Sequence, residues 1–380
     1  MGRLEQVSGS RTRVLALSPF PEEAAGFRFR LAQYIPHLDA AGFDVVAKPF
    51  YTTEFFRLVY RPGHHVRKAA IFAQLALGRA RSLGSLSAYQ LVFIYREAFP
   101  IGPPLIERAL ARRAQPPVIY DFDDAIFLPN VSEANRVVAS LKYPRKVPII
   151  IRHSDHVIVG NDYLADYSRE YNSAVTMIPT CVDTARFVPR TPNDAPNGTD
   201  PVVGWIGSPT TTPYLLRMED VLRRVRERHP FELRVSGAGR DVAFRGVAVR
   251  NVPWSLDREV ELFNTCDVGV YPLVDNEWSK GKCGFKAIQF MACGVPVVAA
   301  AVGVNRCIIQ DGVNGFLAST EDEWVEKIGR LLSDPDLRAR FAAAGRRTIE
   351  GRYSLNVNAP KLVATFRDVL NRSRNGDQRS

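Results

Sequence analysis

The sequence lacks the features that mark membrane-spanning and secreted proteins. Its longest apolar run, residues 294–304, falls well below the ~20 residues that a membrane-spanning helix requires. The segment beginning at Met1 has no apolar signal core, and the five cysteines form an odd set without a C-x-x-C pair. These absences predict a cytoplasmic protein kept in a reducing compartment.

Motifs of several enzyme classes are also missing. Neither G-x-S-x-G nor G-x-x-x-x-G-K-[ST] occurs, and no carboxylates are paired at hydrolase-like positions. This argues against esterases, P-loop enzymes and glycosidases. His153 and His156 stand beside Asp155 without a third or fourth ligand at a recognisable spacing, so no metal site is predicted there.

Positive charge is in excess and is concentrated in one segment. The chain has a net charge of +10, and residues 48–81 contain seven basic side chains but only one acid, Glu54. Aromatic and aliphatic residues are interleaved with these cations, a pattern typical of an amphipathic segment on the inner, anionic face of a membrane. A helix packed on its own domain with arginines in water explains the pattern equally well. No nucleic-acid-binding motif is visible, so no nucleic acid partner is expected.

Two series of alternating strands and helices are predicted in a chain too long for a single core. The predicted strands are 13–17, 43–47, 91–95, 118–120, 156–159 and 175–178, then 202–206, 231–235, 268–271 and 295–300, with helices such as 214–228 between them. Residues 189–201 contain four prolines and predict a linker. The fold class is therefore α/β, with two similar parallel-sheet halves and a cleft between them.

A glycine turn with lysines is the most informative local pattern. Gly281 and Gly284 let the backbone approach a ligand closely, and from Phe285 apolar residues recur at helical spacing. Three lysines stand at the same end of this helix: Lys280, Lys282 and Lys286. Free N–H groups at a helix start attract anions, so the pattern predicts a diphosphate site. A solvated charged loop before an ordinary helix is the simpler alternative.

Carboxylates follow the predicted strand 118–120 at its carboxyl end. Asp121, Asp123 and Asp124 form a D-x-D-D sequence there. One interpretation is a D-x-D site for a divalent cation beneath a nucleotide diphosphate. Aspartates that cap a turn are the simpler alternative.

Four segments resemble, in order and spacing, the signature motifs of a known family. They are I-P-T-C-V-D at 178–183 followed by Phe187 and Pro189, C-D-V-G-V-Y-P-L at 266–273, F-M-A-C-G-V-P-V-V at 290–298, and G-V-N-G-F-L at 312–317. The resemblance extends over nearly the whole chain. The sequence resembles the retaining, nucleotide-sugar-dependent glycosyltransferases of the GT-B fold, specifically the large family-four group.

This resemblance implies both an architecture and a reaction. An acceptor-binding Rossmann-like domain at 1–188 would face a nucleotide-sugar-binding domain at 202–352 across the cleft, and 353–380 would hold a helix returning to the first domain. The implied reaction moves a sugar, with retention, from a nucleotide-diphosphate sugar to a carbohydrate or lipid-linked acceptor in polysaccharide or glycoconjugate biosynthesis. No metal or further cofactor is implied, since the nucleotide sugar is a substrate.

The motifs also assign site residues by position. The resemblance implies donor binding by Gly207, Ser208, Thr210, Lys280, Gly284, Phe285 and Gln289. Charge on the departing diphosphate would be stabilised by Lys282 and Lys286, with Asp123 and Asp124 as polar groups of the catalytic centre on the acceptor side. Gly26, Arg28 and Arg30 occupy the first strand-to-helix loop, where an arginine would receive an acceptor phosphate.

The sequence departs from the family pattern at three places. Gly281 and Gln289 stand where the family has glutamates, although Gln289 can still hydrogen-bond a ribose hydroxyl. Ser208 to Thr212 replace the usual Arg and Lys clamp, so the three lysines are expected to supply the missing cations. Base recognition is expected from the second domain, around 237–240 and Trp254.

Two other functions fit the same fold. A nucleotide-sugar epimerase would keep the donor site and change the reaction. A catalytically silent subunit that binds a glycosyltransferase or a glycan would account for the missing glutamates. The lysine-rich turn argues against a silent subunit, because an inactive site has no need of phosphate-binding charge.

Overall fold

The computed structural model describes residues 11–59, 61, 63–111, 116–128, 143–191 and 200–377. Within these ranges the strands form two sheets of six, and all of the strand pairs are parallel. The central strands are buried along their whole length, because helices cover both faces of a parallel sheet. The predicted α/β class with two parallel sheets is confirmed.

The first domain contains the sheet with strand order β2-β1-β3-β4-β5-β6. Its elements are β1 (Thr12–Ser18), α1 (Ala25–Arg30), α2 (Ile35–Ala40), β2 (Phe43–Pro49), α3 (Thr53–Val59), α4 (His65–Leu83), β3 (Leu91–Tyr95), α5 (Leu105–Ala111), β4 (Val118–Phe122), α6 (Lys146–His153), β5 (His156–Val159), α7 (Asp162–Arg169) and β6 (Val175–Met177). The order reverses between β1 and β3, which opens a crevice at the carboxyl ends of these strands.

The second domain contains the sheet with strand order β12-β11-β10-β7-β8-β9. Its elements are β7 (Val202–Ile206), α8 (Thr212–Leu216), α9 (Glu219–Arg226), β8 (Glu232–Ser236), β9 (Ala248–Val252), α10 (Glu259–Asn264), β10 (Val268–Tyr271), α11 (Glu277–Lys280), α12 (Phe285–Ala292), β11 (Val297–Ala300), α13 (Asn305–Ile308), β12 (Phe316–Ala318), α14 (Glu321–Ser333) and α15 (Pro335–Thr348). Here the order reverses between β7 and β10, which opens a second crevice.

A π-helical turn, Ile349–Tyr353, leads into α16 (Leu355–Asp377), and α16 returns to the first domain. Its side chains Leu362, Phe366 and Val369 are buried in one apolar cluster with residues of β1 and β3. The ring of Phe366 meets that of Phe43 edge to face, with centroids 5.5 Å apart. The predicted C-terminal helix that packs on the first domain is confirmed.

Some predicted elements have different bounds in the structure. The predicted helix 214–228 is divided into α8 and α9, and the predicted strand 295–300 begins at Val297. The strand β9 had no prediction, because this edge strand is largely exposed and lacks an apolar run. Most of the predicted linker 189–201 lies outside the described residues, so the domain boundaries stay predictions. In the part of the chain that is described, no helix combines the length and apolarity needed to cross a membrane.

Candidate functional site

The two domains meet through aromatic side chains beside their crevices. The ring of Phe29, in α1, lies against that of Phe285, the first residue of α12, with centroids 4.3 Å apart. Phe187 packs on the other side of Phe29 at 6.0 Å. These rings belong to one apolar cluster that contains residues of both domains. Phe285, predicted to bind the donor, therefore also forms part of the domain interface.

The turn before α12 requires glycine. Gly284 caps the helix with a φ of +64°, and a Cβ there would lie 2.2 Å from Cδ1 of Ile308. No side chain caps the helix at this residue. The N–H groups of its first turn are therefore available to an anion, as the sequence predicts.

The three lysines of this turn point to different partners. Lys280 is exposed and forms an i,i+3 ion pair with Glu277 at 2.6 Å. The ammonium of Lys282 lies 3.8 Å from a carboxylate oxygen of Asp124 in the first domain. Lys286 donates a hydrogen bond of 2.7 Å to Oε1 of Gln289. The expected convergence of all three cations is wrong for Lys280, because its side chain is held at the surface by Glu277.

Glu259, in α10, gathers cations from both domains. Its carboxylate is 1% exposed and accepts a hydrogen bond of 3.0 Å from Nη2 of Arg28 in the first domain. It also lies 3.4 Å from Nη2 of Arg186, and Nε2 of Gln289 donates to it at 3.3 Å. Through Gln289, Lys286 joins the same network. We name Arg28, Arg186, Glu259, Lys286 and Gln289 the Glu259 cluster.

Positive charge exceeds negative charge in the Glu259 cluster. Three cationic side chains, Arg28, Arg186 and Lys286, surround the single carboxylate of Glu259. By formal charge, the cluster therefore keeps an excess of about +2. Burial lowers the pKa of Lys286 to about 8, with Glu259 opposing and Arg28 reinforcing the shift. Burial also lowers the pKa of Arg28, and nearby Arg186 acts in the same direction. A dianionic group placed here would stabilise these buried cations and relieve the smaller repulsion between them.

Asp123 and Asp124 are held by one arginine in the first domain. Arg96, at the end of β3, donates to Oδ1 of Asp123 at 2.6 Å and to Oδ2 of Asp124 at 2.5 Å. The hydroxyl of Tyr95 also donates to Asp123, at 2.8 Å. Burial alone would raise the pKa of Asp123, but the charges of Arg96 and Arg30 and the hydrogen bonds from Arg96 and Tyr95 together outweigh burial, and the pKa is lowered. Arg96 and Lys282 together balance the charge of the two carboxylates, which is a poor fit to the alternative of a D-x-D cation site.

The predicted acceptor-side residues separate into three roles. Arg30 is almost fully buried and binds both carboxylate oxygens of Asp121, at 2.5 and 2.9 Å. It belongs to the interior of the first domain, so the expectation that it receives an acceptor phosphate is wrong. Arg28 is also buried and contacts Glu259, on the donor side of the interface. Gly26 approaches Tyr95 so closely that a Cβ would lie 2.0 Å from the tyrosine oxygen.

The second domain supplies a hydroxyl-rich loop after β7. The hydroxyls of Ser208 and Thr210 lie 2.9 Å apart, and the backbone N–H of Ser208 donates to the hydroxyl of Thr211 at 2.9 Å. Gly207 packs backbone to backbone against Gly237, whose φ is +79°. The predicted donor residues Gly207, Ser208 and Thr210 are thus one compact loop at the crevice of the second sheet. Their contact with a donor stays a prediction.

Asn161 clamps the 280–284 loop to the first domain. This buried residue caps α7 with its Oδ1, which accepts from the N–H of Leu164. Its Nδ2 donates to the carbonyls of Gly281 and Lys282 at 3.1 and 3.0 Å. The thiol of Cys283 donates to the Asp123 carbonyl at 3.1 Å, so both ends of the loop are fixed across the interface.

Sequence reasoning missed four residues that organise this site. They are Arg96, Asn161, Arg186 and Glu259. Glu259 lies in a segment predicted as a helix, and an acidic residue in such a helix is ordinarily interpreted as a solvated surface side chain. One signal was present, since Asn161 follows the strand 156–159 directly at the edge where ligands bind in parallel sheets.

Comparisons with known proteins show what the chain is similar to in sequence. The family model described as "Glycosyl transferases group 1" matches residues 200–334. D-inositol 3-phosphate glycosyltransferase of Xylanimonas cellulosilytica is 30% identical over 236 residues, covering 55% of this chain and 54% of that protein. The enzyme of the same name from Nocardiopsis dassonvillei is 28% identical over 51% and 52% of the two chains. The chain spans about half the length of these two curated relatives.

Solved structures match over almost the full length. Sucrose-phosphate synthase from Thermosynechococcus elongatus has a TM-score of 0.70 at 17% identity, covering 95% of this chain and 100% of that one. Anabaena HepE, solved in complex with UDP and glucose, has a TM-score of 0.65 at 17% identity, covering 94% and 100%.

These findings establish the fold. It is that of the GT-B glycosyltransferases, as the sequence predicts. Residues 200–334 are similar to the group 1 glycosyl transferases.

Proposed function

We propose that this protein is a retaining glycosyltransferase that moves a sugar from a nucleotide-diphosphate sugar to a carbohydrate or lipid-linked acceptor. The reaction would serve polysaccharide or glycoconjugate synthesis. The group 1 domain and the GT-B fold support the class. A UDP-sugar is the donor best supported, because the structurally similar HepE was solved with UDP-glucose.

The positive surplus of the Glu259 cluster is the observation that carries the proposal. Departure of a nucleoside diphosphate places negative charge on its phosphate oxygens, and cations fixed beforehand stabilise that charge. Lys286 belongs to the first turn of α12, and Arg28 is linked to it through Glu259 and Gln289, so charge is gathered near the uncapped helix start. Lys282, which lies against Asp124, would reach the same phosphates from the first domain's side.

The remaining site residues have supporting positions. The Gln289 amide, within the Glu259 cluster, would form a hydrogen bond with a ribose hydroxyl. Gly207, Ser208 and Thr210 would close the donor site from the loop after β7. Asp123 and Asp124, held by Arg96 at the first domain's crevice, would face the acceptor hydroxyl. No metal is assigned a role.

Replacing Lys286 tests the donor site directly. Lys286→Met should weaken binding of UDP, measured by calorimetry, about ten- to a hundredfold, the worth of one charge-assisted contact. The melting temperature should not fall, because an ammonium with a burial-lowered pKa costs folding free energy. Lys280→Met is the matched control, since its exposed side chain pairs with Glu277, and it should bind UDP normally. Equal losses in both variants would contradict the assignment.

Incubation with a UDP-sugar separates the proposed reaction from its rivals. Acceptor-dependent release of UDP is the expected result. An altered nucleotide sugar formed without acceptor would identify an epimerase. Failure of the unmodified protein to bind any nucleotide sugar would identify a silent binding subunit.

We also propose that the acceptor is met at an anionic membrane surface through α4. This 19-residue helix contains no acid, and Val66 and Leu77 are 86% and 53% exposed. Arg67 and Arg81 are exposed near its two ends. One member of the predicted basic patch is excluded from this surface, because Arg79 is buried and donates to the Ser18 carbonyl.

A further inference from the structure

A second concave surface lies between α13 and the end of α15. This cavity of 580 Å³ is lined by three arginines, Arg306, Arg347 and Arg352, and by no carboxylate. None of the residues of the Glu259 cluster lines it. We name it the arginine pocket.

The guanidiniums of the arginine pocket are not neutralised from within the protein. Across the described ranges, no ion pair or hydrogen bond engages the guanidinium of Arg306 or Arg347, and the guanidinium of Arg352 donates only to the carbonyl of Cys307, at 3.3 Å. The two acids nearest in the chain are bound elsewhere. Glu350 accepts from Arg346 at 2.7 Å, and Asp311 pairs with Lys327 at 3.2 Å. Three exposed arginines therefore line one concavity without a counter-charge among the described residues.

The floor of the pocket is rigid and apolar. Ile308 and Ile309 are buried beneath it, and Asn314 is fixed there by its bonds to the Ile308 carbonyl and the Thr348 hydroxyl. The π-helical turn, Ile349–Tyr353, carries Arg352 to the rim. Turns of this rare type occur frequently at functional sites.

We propose that the arginine pocket binds a small soluble molecule with two or more phosphate groups, which the three guanidiniums clamp. Arginine presents several donors in a planar fork that matches phosphate oxygens, so three of them favour an oligoanion over a single carboxylate. This site goes beyond the proposed transfer reaction, which uses the Glu259 cluster.

The pocket is coupled to the donor turn through α13. Arg306 faces the cavity, while Ile308, half a turn later, fills the space that a Cβ of Gly284 would occupy, 2.2 Å away. Ile308 itself lines the cavity, so a ligand that displaces α13 also displaces the residue packed against the cap of α12. Binding in the pocket changes the affinity of the donor turn for its nucleotide, and by linkage the nucleotide changes the affinity of the pocket.

Calorimetry with tripolyphosphate tests the site, with Lys286→Met as background so that the donor site contributes little. Adding Arg306→Ala and Arg347→Ala should weaken tripolyphosphate binding about a hundredfold at constant salt, since two charge-assisted contacts are lost. Arg340→Ala, an exposed arginine on the same helix α15 outside the pocket, should leave binding unchanged. The proposal is overturned if tripolyphosphate does not bind the Lys286→Met protein. It is also overturned if adding Arg306→Ala and Arg347→Ala leaves the tripolyphosphate affinity of that protein unchanged.

A second titration tests the coupling in the chain with Lys286 intact. Saturating tripolyphosphate should change the UDP affinity of the unmodified chain. In the double variant Arg306→Ala/Arg347→Ala, tripolyphosphate should leave the UDP affinity unchanged. Simple competition at the donor site would persist in that double variant and would contradict the coupling. These results do not depend on sugar transfer, so the proposed reaction and the arginine pocket can fail separately.

Discussion

At the scale of single residues, Glu259 and Asn161 connect parts of the chain that are far apart in sequence. Glu259 binds Arg28 from 231 residues away, and Asn161 binds the carbonyl of Lys282 from 121 residues away. Both side chains are buried, so each must be satisfied across the domain interface or pay the cost of an unpaired polar group. The geometry of the donor site thus depends on the two domains being together.

The lowered pKa of Lys286 predicts how nucleotide binding responds to pH. Without ligand, burial brings this pKa to about 8, whereas a bound diphosphate would raise it by stabilising the ammonium. UDP affinity should therefore be constant from pH 7 to about 8 and fall above that, by up to about tenfold per pH unit. Calorimetry at pH 8.5 in buffers of different ionisation enthalpy should detect proton uptake on binding. An affinity that stays flat to pH 9.5, or uptake retained in Lys286→Met, would contradict the assignment.

Asn161 has two roles that a substitution can separate. Its Nδ2 holds the 280–284 loop, and its Oδ1 caps α7. Asn161→Ser keeps an oxygen that caps α7 but removes the amide that donates to Gly281 and Lys282. We expect the helix to be retained, and UDP affinity to fall about tenfold because the 280–284 loop loses two hydrogen bonds that fix it. Circular dichroism and calorimetry measure the two effects. Normal UDP binding by this variant would show that the loop is positioned by other contacts.

At the scale of elements, the sequence predicted best where local and tertiary preferences agree. The strands at 91–95, 156–159, 202–206 and 268–271 have their predicted bounds, because each is an apolar run buried on both faces of a parallel sheet. The start of α12 was also predicted, since Gly284 is required by its positive φ. The division of α8 from α9, and the exposed strand β9, carry no such signal.

The helix α4 makes a prediction at this scale. Replacing both Val66 and Leu77 by Asp removes the exposed apolar side chains of the helix and adds negative charge. Co-sedimentation with phosphatidylglycerol vesicles should fall at least about tenfold, through lost apolar burial and lost electrostatic attraction. Val313→Asp, at a comparably exposed position in the second domain, should co-sediment normally. If the unmodified chain does not bind these vesicles, α4 is an ordinary solvated helix.

At the scale of the whole molecule, function depends on pairings that a single sequence does not reveal. The glycine turn and the family-like motifs indicated a candidate donor loop, but they did not show that Lys280 pairs with Glu277 or that Arg30 pairs with Asp121. Side-chain direction at a loop is decided by contacts from other elements, and those contacts exist only in the assembled fold. The location of the candidate site was therefore predictable, and its charge balance was not.

The packing of α16 predicts which part of the molecule is weakened when that helix is damaged. Phe366 is fully buried between Phe43 and Phe93, so Phe366→Ala should cost about 3–5 kcal/mol. The loss should appear in the first domain, as faster amide hydrogen exchange in β1 and β3 with little change in β7 and β10. Arg374→Ala, exposed on the same helix, should have no effect. Equal acceleration in both sheets would show that the two domains unfold as one unit.

The return of α16 also sets an order of events during protein synthesis. The strands that it covers leave the ribosome first, while Leu362 and Phe366 are added only after the entire second domain has been translated. For most of translation, the apolar face that later receives this helix has no cover, and the nascent chain must be kept from aggregating. Emergence of α16, and not emergence of residue 188, is the step at which the first domain can finish folding.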